Sequence, residues 1–217
     1  MAHAGAVSLV LDAPFARTGE DRRPALLAFD DPEAERAMTA QAVVDARRAY
    51  DVLSARDDVD PDRLGFVGHS WGASLGVVLA AVDRRPASLV LITGRPAWSG
   101  FLRAADAEWV RRERDRLAAG EWERYLELMA PLDAMAEIGA VDASRLYLQY
   151  GRADDVVPPD VAQELVDAAT GARSDFYDAG HALDDEATAD RVSWLVQRLG
   201  LRPVPQSVLD QVGLPDR

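Results

Sequence analysis

The chain has 217 residues, 48% hydrophobic and 28% charged, with a net charge of −13. That length and composition describe an ordinary globular chain with one good core and exclude a disordered one. The acidity argues against nucleic acid or an anionic membrane as the main partner, because both need a basic surface. Cysteine is absent, which excludes disulfides, thiolate metal sites and a cysteine nucleophile together.

The start has no basic n-region and runs straight into the strand pattern "AVSLVLD" (6–12), so no signal peptide is expected. "EAERAMTAQAVVDARRAYDVLSA" (33–55) puts Met38, Ala42, Ala46, Ala49, Tyr50 and Leu53 on one face, the spacing of a surface helix. "RLGFVG" (63–68) reads as a strand, "ASLGVVLAAV" (73–82) as a buried helix apolar all round, and "SLVLIT" (88–93) as a second buried strand. The rhythm breaks from Trp98 to Met135, where helical, Trp-rich and charged sequence predicts an insertion over about 98–138. That insertion is either a solvated helical pair packed on the sheet or a lid shaping a pocket through Trp98, Trp109 and Trp122. Strands follow at "RLYLQY" (145–150) and "RSDFYDA" (173–179), with helices at "PPDVAQELVDAAT" and "DEATADRVSWLVQRL" and a Pro-punctuated tail over 202–217.

The alternation of strand and helix predicts one α/β domain over 1–217, with a doubly wound, mostly parallel sheet and ligand sites beyond the strand carboxyl ends. No run approaches the roughly 20 apolar residues of a membrane span, and a cytoplasmic location is expected.

One junction carries chemistry. In "RLGFVGHSWGASLGVVLAAV" (63–82) a strand gives way to a helix at Gly68-His69-Ser70-Trp71-Gly72. So sharp a turn forces Ser70 into a strained backbone and asks for small residues two before and two after it, met by Gly68 and Gly72. It lifts the Ser70 hydroxyl off the sheet and sets the Trp71 amide at a helix N-terminus, facing any developing oxyanion. A serine hydroxyl needs a base, and the base an orienting acid. Of the three histidines, His3 lies in a frayed N-terminus and His69 sits on the elbow with a packing or hydrogen-bonding role. His181, in "FYDAGHALDDE" after the last strand, is the candidate base. For the acid, "LYLQYGRADDVVPPD" offers Asp154 and Asp155 at a strand end. Asp155 alternatively caps the following turn, and Asp133 in "PLDAM", a third candidate for the acid, reads more readily as a helix cap in the insertion.

Serine, acid and histidine in this order, each at a strand end, resemble the α/β-hydrolase superfamily over about residues 6–200. "GHSWG", "GRADDVVP" and "AGHAL" are similar to its nucleophile elbow, acid loop and histidine loop, and the G-x-x-D-x-x-V-P pattern selects Asp154. The wider pattern resembles the branch of dienelactone hydrolases, acyl esterases and prolyl-oligopeptidase-like domains. The sequence opens at what corresponds to that family's fourth strand. The resemblance therefore implies an N-terminally shortened form without the loop that supplies a second oxyanion amide. The apolar stretch 6–12 is then an exposed edge strand through which two copies are expected to pair as a homodimer. The resemblance implies a serine hydrolase cleaving a small-molecule ester through an acyl-enzyme, with Ser70, His181 and Asp154 as the triad and neither metal nor organic cofactor. Peptidase or thioesterase chemistry, or a non-catalytic binding module on a shortened hydrolase fold, are the other readings.

Overall fold

The computed structural model describes residues 1–17 and 26–209. Helix α1 (Pro32–Ser54) precedes strand β1 (Leu64–His69), helix α2 (Trp71–Val82) and strand β2 (Pro86–Ile92). The insertion supplies α3 (Trp98–Ala104), α4 (Glu108–Arg116), α5 (Glu121–Met129) and the single turn α6 (Ala134–Glu137). Strand β3 (Leu146–Gly151), helix α7 (Pro159–Ala168), strand β4 (Arg173–Tyr177), helix α8 (Asp185–Arg198) and the short α9 (Gln206–Leu209) follow.

The four strands form one parallel sheet in the order β1-β2-β3-β4. Side chains alternate across a strand, so each of the two central strands is read twice. Leu89, Leu91, Leu146 and Leu148 enter a core with Ala73 and Val77 of α2 and Ala162 and Leu165 of α7. Val90, Ile92 and Tyr147 face the other way, onto Leu195 of α8 and Leu199 just beyond it. Burial on both faces is why "SLVLIT" is continuously apolar instead of alternating.

The expected insertion is helical and keeps a core of its own, in which Leu102, Val110, Trp122, Tyr125, Leu126 and Met129 gather with Phe29. Trp98, Trp109 and Trp122 all pack into that cluster. Its last turn returns to the sheet, where Ala134 and Ile138 join the main core. Asp133 caps a helix, but one distant in sequence. Its carboxylate accepts from the amide of Trp98 at 2.7 Å and from the amide and hydroxyl of Ser99, closing the open N-terminus of α3.

The segment 6–12 departs from expectation. It is not a strand: it forms no ladder with any described strand. Strand formation needs a hydrogen-bonding neighbour as well as a β-prone sequence, and this segment lies across a cavity from β1 instead of beside it. Among the described residues the edge of the sheet on that side is therefore β1, and the edge strand predicted at 6–12 is an irregular stretch instead. The tail is described only to residue 209, and its remaining residues lie outside the described ones.

Near the start of α1, Glu35 is 2% exposed and accepts from the amides of Leu27 at 2.9 Å and Ala28 at 2.7 Å, pinning the turn that carries Phe29 into the insertion. Burial raises its carboxyl above the ordinary 4.5, outweighing the two amides and the Tyr125 hydroxyl that pull it down. A raised folded-state value favours the protonated form. Its contribution to stability is fully present below pH 4.5 and is lost as pH rises through the folded-state value. Urea unfolding followed from about pH 4 to 7 should show wild-type stability declining relative to Glu35→Gln over that window; parallel curves would contradict the assignment.

Candidate active site

Ser70 joins β1 to α2 at φ 54° and ψ −117°, a conformation that costs a non-glycine residue about 1–3 kcal/mol. It is held there by its own backbone. The Ser70 amide donates to the Ile92 carbonyl at 2.8 Å, and its carbonyl accepts from the amides of Ala73 at 2.9 Å and Ser74 at 3.1 Å. The two elbow glycines are not equivalent. A Cβ at Gly68 would sit 2.6 Å from the Gly72 carbonyl carbon and 2.8 Å from the Phe66 ring, whereas a Cβ at Gly72 would meet nothing within 4 Å. The expectation that both positions must be small is corrected: Gly68 is required by the close passage of strand and helix, and Gly72 has room.

The acid and histidine loops are zipped together at the same end of the sheet. Arg152 donates its amide to the Tyr177 carbonyl at 2.7 Å and Ala153 to the Ala179 carbonyl at 3.0 Å. Gly151 permits this approach, since a Cβ there would lie 2.6 Å from the Gly180 oxygen. Asp154 uses both its oxygens. Oδ1 accepts from the amides of Val156 at 2.8 Å and Val157 at 2.9 Å, and Oδ2 lies 2.8 Å from His181 Nδ1. The turn-capping role foreseen for Asp155 thus belongs to Asp154, while Asp155 is exposed.

His181 Nε2 lies 2.9 Å from Ser70 Oγ. With Nδ1–H donating to the carboxylate, Nε2 carries the lone pair and accepts from the serine hydroxyl. The Asp154 side chain is fully buried, that of His181 is 22% exposed, and Ser70 is half-buried. The three side chains named from the sequence therefore meet in one line of hydrogen bonds from the interior to the surface. His3 lies exposed in the N-terminal 3-10 turn Ala2–Ala4.

Neighbours of this line were only partly legible beforehand. His69 fills its hydrogen-bonding role by placing Nε2 3.0 Å from the His181 carbonyl, which also accepts from Thr93 Oγ1 at 3.3 Å. Thr93 is fully buried at φ 50°; its place just past β2 was the available signal. Arg95, two residues on, donates to the Val156 carbonyl and lies over the rings of Phe101 at 4.0 Å and Trp98 at 4.9 Å, joining the acid loop to the insertion. Burial lowers its pKa, opposed by the charge of Asp154. The Trp71 amide begins α2 and has no acceptor one turn back, while its ring meets Phe15 edge-on at 5.1 Å. Among the described residues no cluster of three or more His, Asp or Glu could hold a metal ion, and no helix is long and apolar enough to cross a membrane.

A parallel sheet with helices on both faces, a serine at the strand-to-helix elbow, and acid and histidine loops at later strand ends can be compared with known proteins. Among solved structures, TT1662 from Thermus thermophilus superimposes with a TM-score of 0.65 at 17% identity, covering 88% of this chain and 76% of its own. The acetyl xylan esterase from Paenibacillus sp. R4 gives 0.63 at 19% identity, covering 85% and 60%. Acetyl xylan esterase 1 from Thermoanaerobacterium sp. gives 0.60 at 18%, covering 86% and 61%. The fold is that of the α/β hydrolases. No family model matches the chain. Two uncharacterized proteins of Mycobacterium tuberculosis, MT2364 and Rv2307c, are 34% identical over 125 residues, which is 58% of this chain. The match spans only 39% of those relatives' length.

The unequal glycines of this strand-to-helix elbow are directly testable. Gly68→Ala should destabilise the protein by about 1–3 kcal/mol through forced backbone displacement. Gly72→Ala, in the first turn of a helix with space for a methyl, should be neutral or stabilising by up to about 1 kcal/mol. Paired urea titrations check this, and equal losses would contradict it.

Proposed function

We propose that the protein is a serine hydrolase that cleaves a carboxylic ester of a small molecule through an acyl-enzyme. The observation that carries this reading is the unbroken hydrogen-bond line of 2.9 Å and 2.8 Å from Ser70 through His181 to the buried Asp154. In this reading Ser70 Oγ attacks the ester carbonyl as His181 Nε2 takes its proton, and the Asp154 carboxylate holds the ring in the required tautomer and stabilises the imidazolium. The tetrahedral oxyanion faces the Trp71 amide, aided by the α2 dipole. Collapse returns the proton from His181 to the departing alcohol, and water deacylates Ser70 by the same relay. Every proton moves between side chains of this chain and the substrate, so no metal or organic cofactor is required.

An ester, as opposed to an amide or thioester, is supported by the names of two proteins with similar folds, both acetyl xylan esterases. A strained backbone at Ser70 supports catalysis over a passive binding module, which has no use for such a conformation.

A fluorophosphonate probe separates the two readings. The wild-type chain should be labelled at Ser70, Ser70→Ala should not be labelled, and His181→Ala should slow labelling by a factor of about 10³ or more. A well-folded wild-type chain that stays unlabelled would shift the assignment to the binding module. In the same assay His69→Ala should slow labelling by about fivefold, because one hydrogen bond worth roughly 1 kcal/mol no longer fixes the His181 backbone; an unchanged rate would remove His69 from the positioning set.

A further inference from the structure

Arg95 is a buried cation without an ordinary ion pair. It follows β2 by three residues, its carbonyl accepts from the Ser74 hydroxyl at 2.9 Å, and the residue is 9% exposed. Among the described residues its one side-chain hydrogen bond goes to the Val156 carbonyl, and Nη1 is buried without an acceptor. The carboxylate whose charge it feels is Asp154, whose two oxygens are already taken by other donors. Burying a guanidinium on these terms is costly, so its surroundings need a physical account.

The Val156 carbonyl and the Val157 amide belong to one peptide group. Arg95 binds the carbonyl end, and the amide end donates to Asp154 Oδ1 at 2.9 Å. A cation at the oxygen and a carboxylate at the hydrogen both align with the peptide dipole, so each polarises the group in the sense that strengthens the other bond. The other carboxylate oxygen lies 2.8 Å from His181 Nδ1, and His181 Nε2 lies 2.9 Å from Ser70 Oγ. The line of hydrogen bonds therefore does not end at the buried acid. It runs on through one peptide to a positive charge. That charge lies over the rings of Phe101 at 4.0 Å and Trp98 at 4.9 Å, both residues of α3. Aromatic faces stabilise a cation while keeping water from it, so the charge acts where screening is weak.

We propose that Arg95 is a positioning residue of the Ser70–His181–Asp154 line: its charge, passed through the Val156–Val157 peptide to Asp154, weakens the pull of the buried carboxylate on an imidazole proton. The helical insertion supplies the aromatic faces that hold this charge, and so sets the strength of a base that belongs to the sheet. The inference rests on the hydrolase reading above, in which His181 must await substrate as the neutral base. The sign is fixed by electrostatics, since a carboxylate favours the imidazolium and a cation behind that carboxylate opposes it. Other charged groups stand on the neighbouring elements. His69 of β1 faces His181 with ring centres 5.1 Å apart, and Asp133 is bound to the start of α3. The Arg152–Asp178 pair at 3.3 Å, Asp155 and Asp160 are exposed, Asp184 caps α8 beside the exposed Asp185 and Glu186, and α2 carries no charge. All of these are the same in wild type and in an Arg95 variant, so a difference between their pH profiles reports Arg95.

The test follows the rate of fluorophosphonate labelling of Ser70 in the full chain from about pH 5 to 9. Arg95→Met removes the charge and should move the acidic limb of the profile up by about half a pH unit or more. Arg95→Gln removes the charge but keeps a donor for Val156; it should do the same, and carries the test if Arg95→Met does not fold. Arg95→Lys keeps the charge and should leave the limb in place. Phe101→Leu opens the guanidinium to water and should move the limb the same way by a smaller amount. A rate lowered equally at every pH by the neutral variants assigns Arg95 a purely structural role and overturns the proposal. So does a limb that moves down, which shows that the acid loop has let go of His181, and so does a shift as large in Arg95→Lys as in Arg95→Met. An unmoved profile in Phe101→Leu overturns the share given to the insertion. A wild-type chain that is never labelled defeats the hydrolase reading instead. The inference is then read from the ring-proton titration of His181 by NMR in the same variants, which needs no reaction: an upward shift in the neutral variants supports it, and an unmoved or lowered midpoint overturns it.

Discussion

A serine backbone held at φ 54° is the constraint on which the rest of the site depends. Left to itself the residue would relax toward the helical or extended regions, and its hydroxyl would turn back along the strand or helix. Three backbone hydrogen bonds and the crossing of Gly68 beneath the Gly72 carbonyl prevent this. The strain is local, but the force resisting it is spread through the sheet. The Ser70 amide is held by Ile92 at the end of β2, which is itself clamped between β1 and β3 and buried by α8.

From that fixed point the geometry is built by shared edges. The acid loop and histidine loop leave adjacent strands and are joined through two backbone hydrogen bonds, so they form one connected unit beside Ser70. His69 and Thr93 then tie the histidine backbone to the elbow from below. Full burial of the Asp154 carboxylate keeps water from competing for it, while His181 and Ser70 stay partly exposed.

The sequence made the sheet legible because its apolar runs were short, β-branched and bounded by helix signals. β1 to β4 fall within a few residues of "RLGFVG", "SLVLIT", "RLYLQY" and "RSDFYDA". It misled at 6–12 for a physical reason: a strand pattern records side-chain preference, and hydrogen-bonding neighbours are a property of the fold. Ser70 was legible because an elbow leaves a local signature. Thr93 was legible only as a strand end and Arg95 not at all, since an arginine after a strand has no pattern until the loops opposite it are in place. The partner of Asp133, the start of α3 more than thirty residues earlier, was hidden for the same reason; sequence spacing reveals only caps on neighbouring residues. The contrast between Gly68 and Gly72 needed coordinates, because identical letters conceal how much room lies beside each.

Asp154 spends one oxygen on the amides of Val156 and Val157 and the other on His181. The shape of its own loop and the orientation of the imidazole are therefore written into a single carboxylate. A substitution that spares a partner for the imidazole but removes this carboxylate therefore leaves two amides unpaired, and the turn and the ring lose their anchor together.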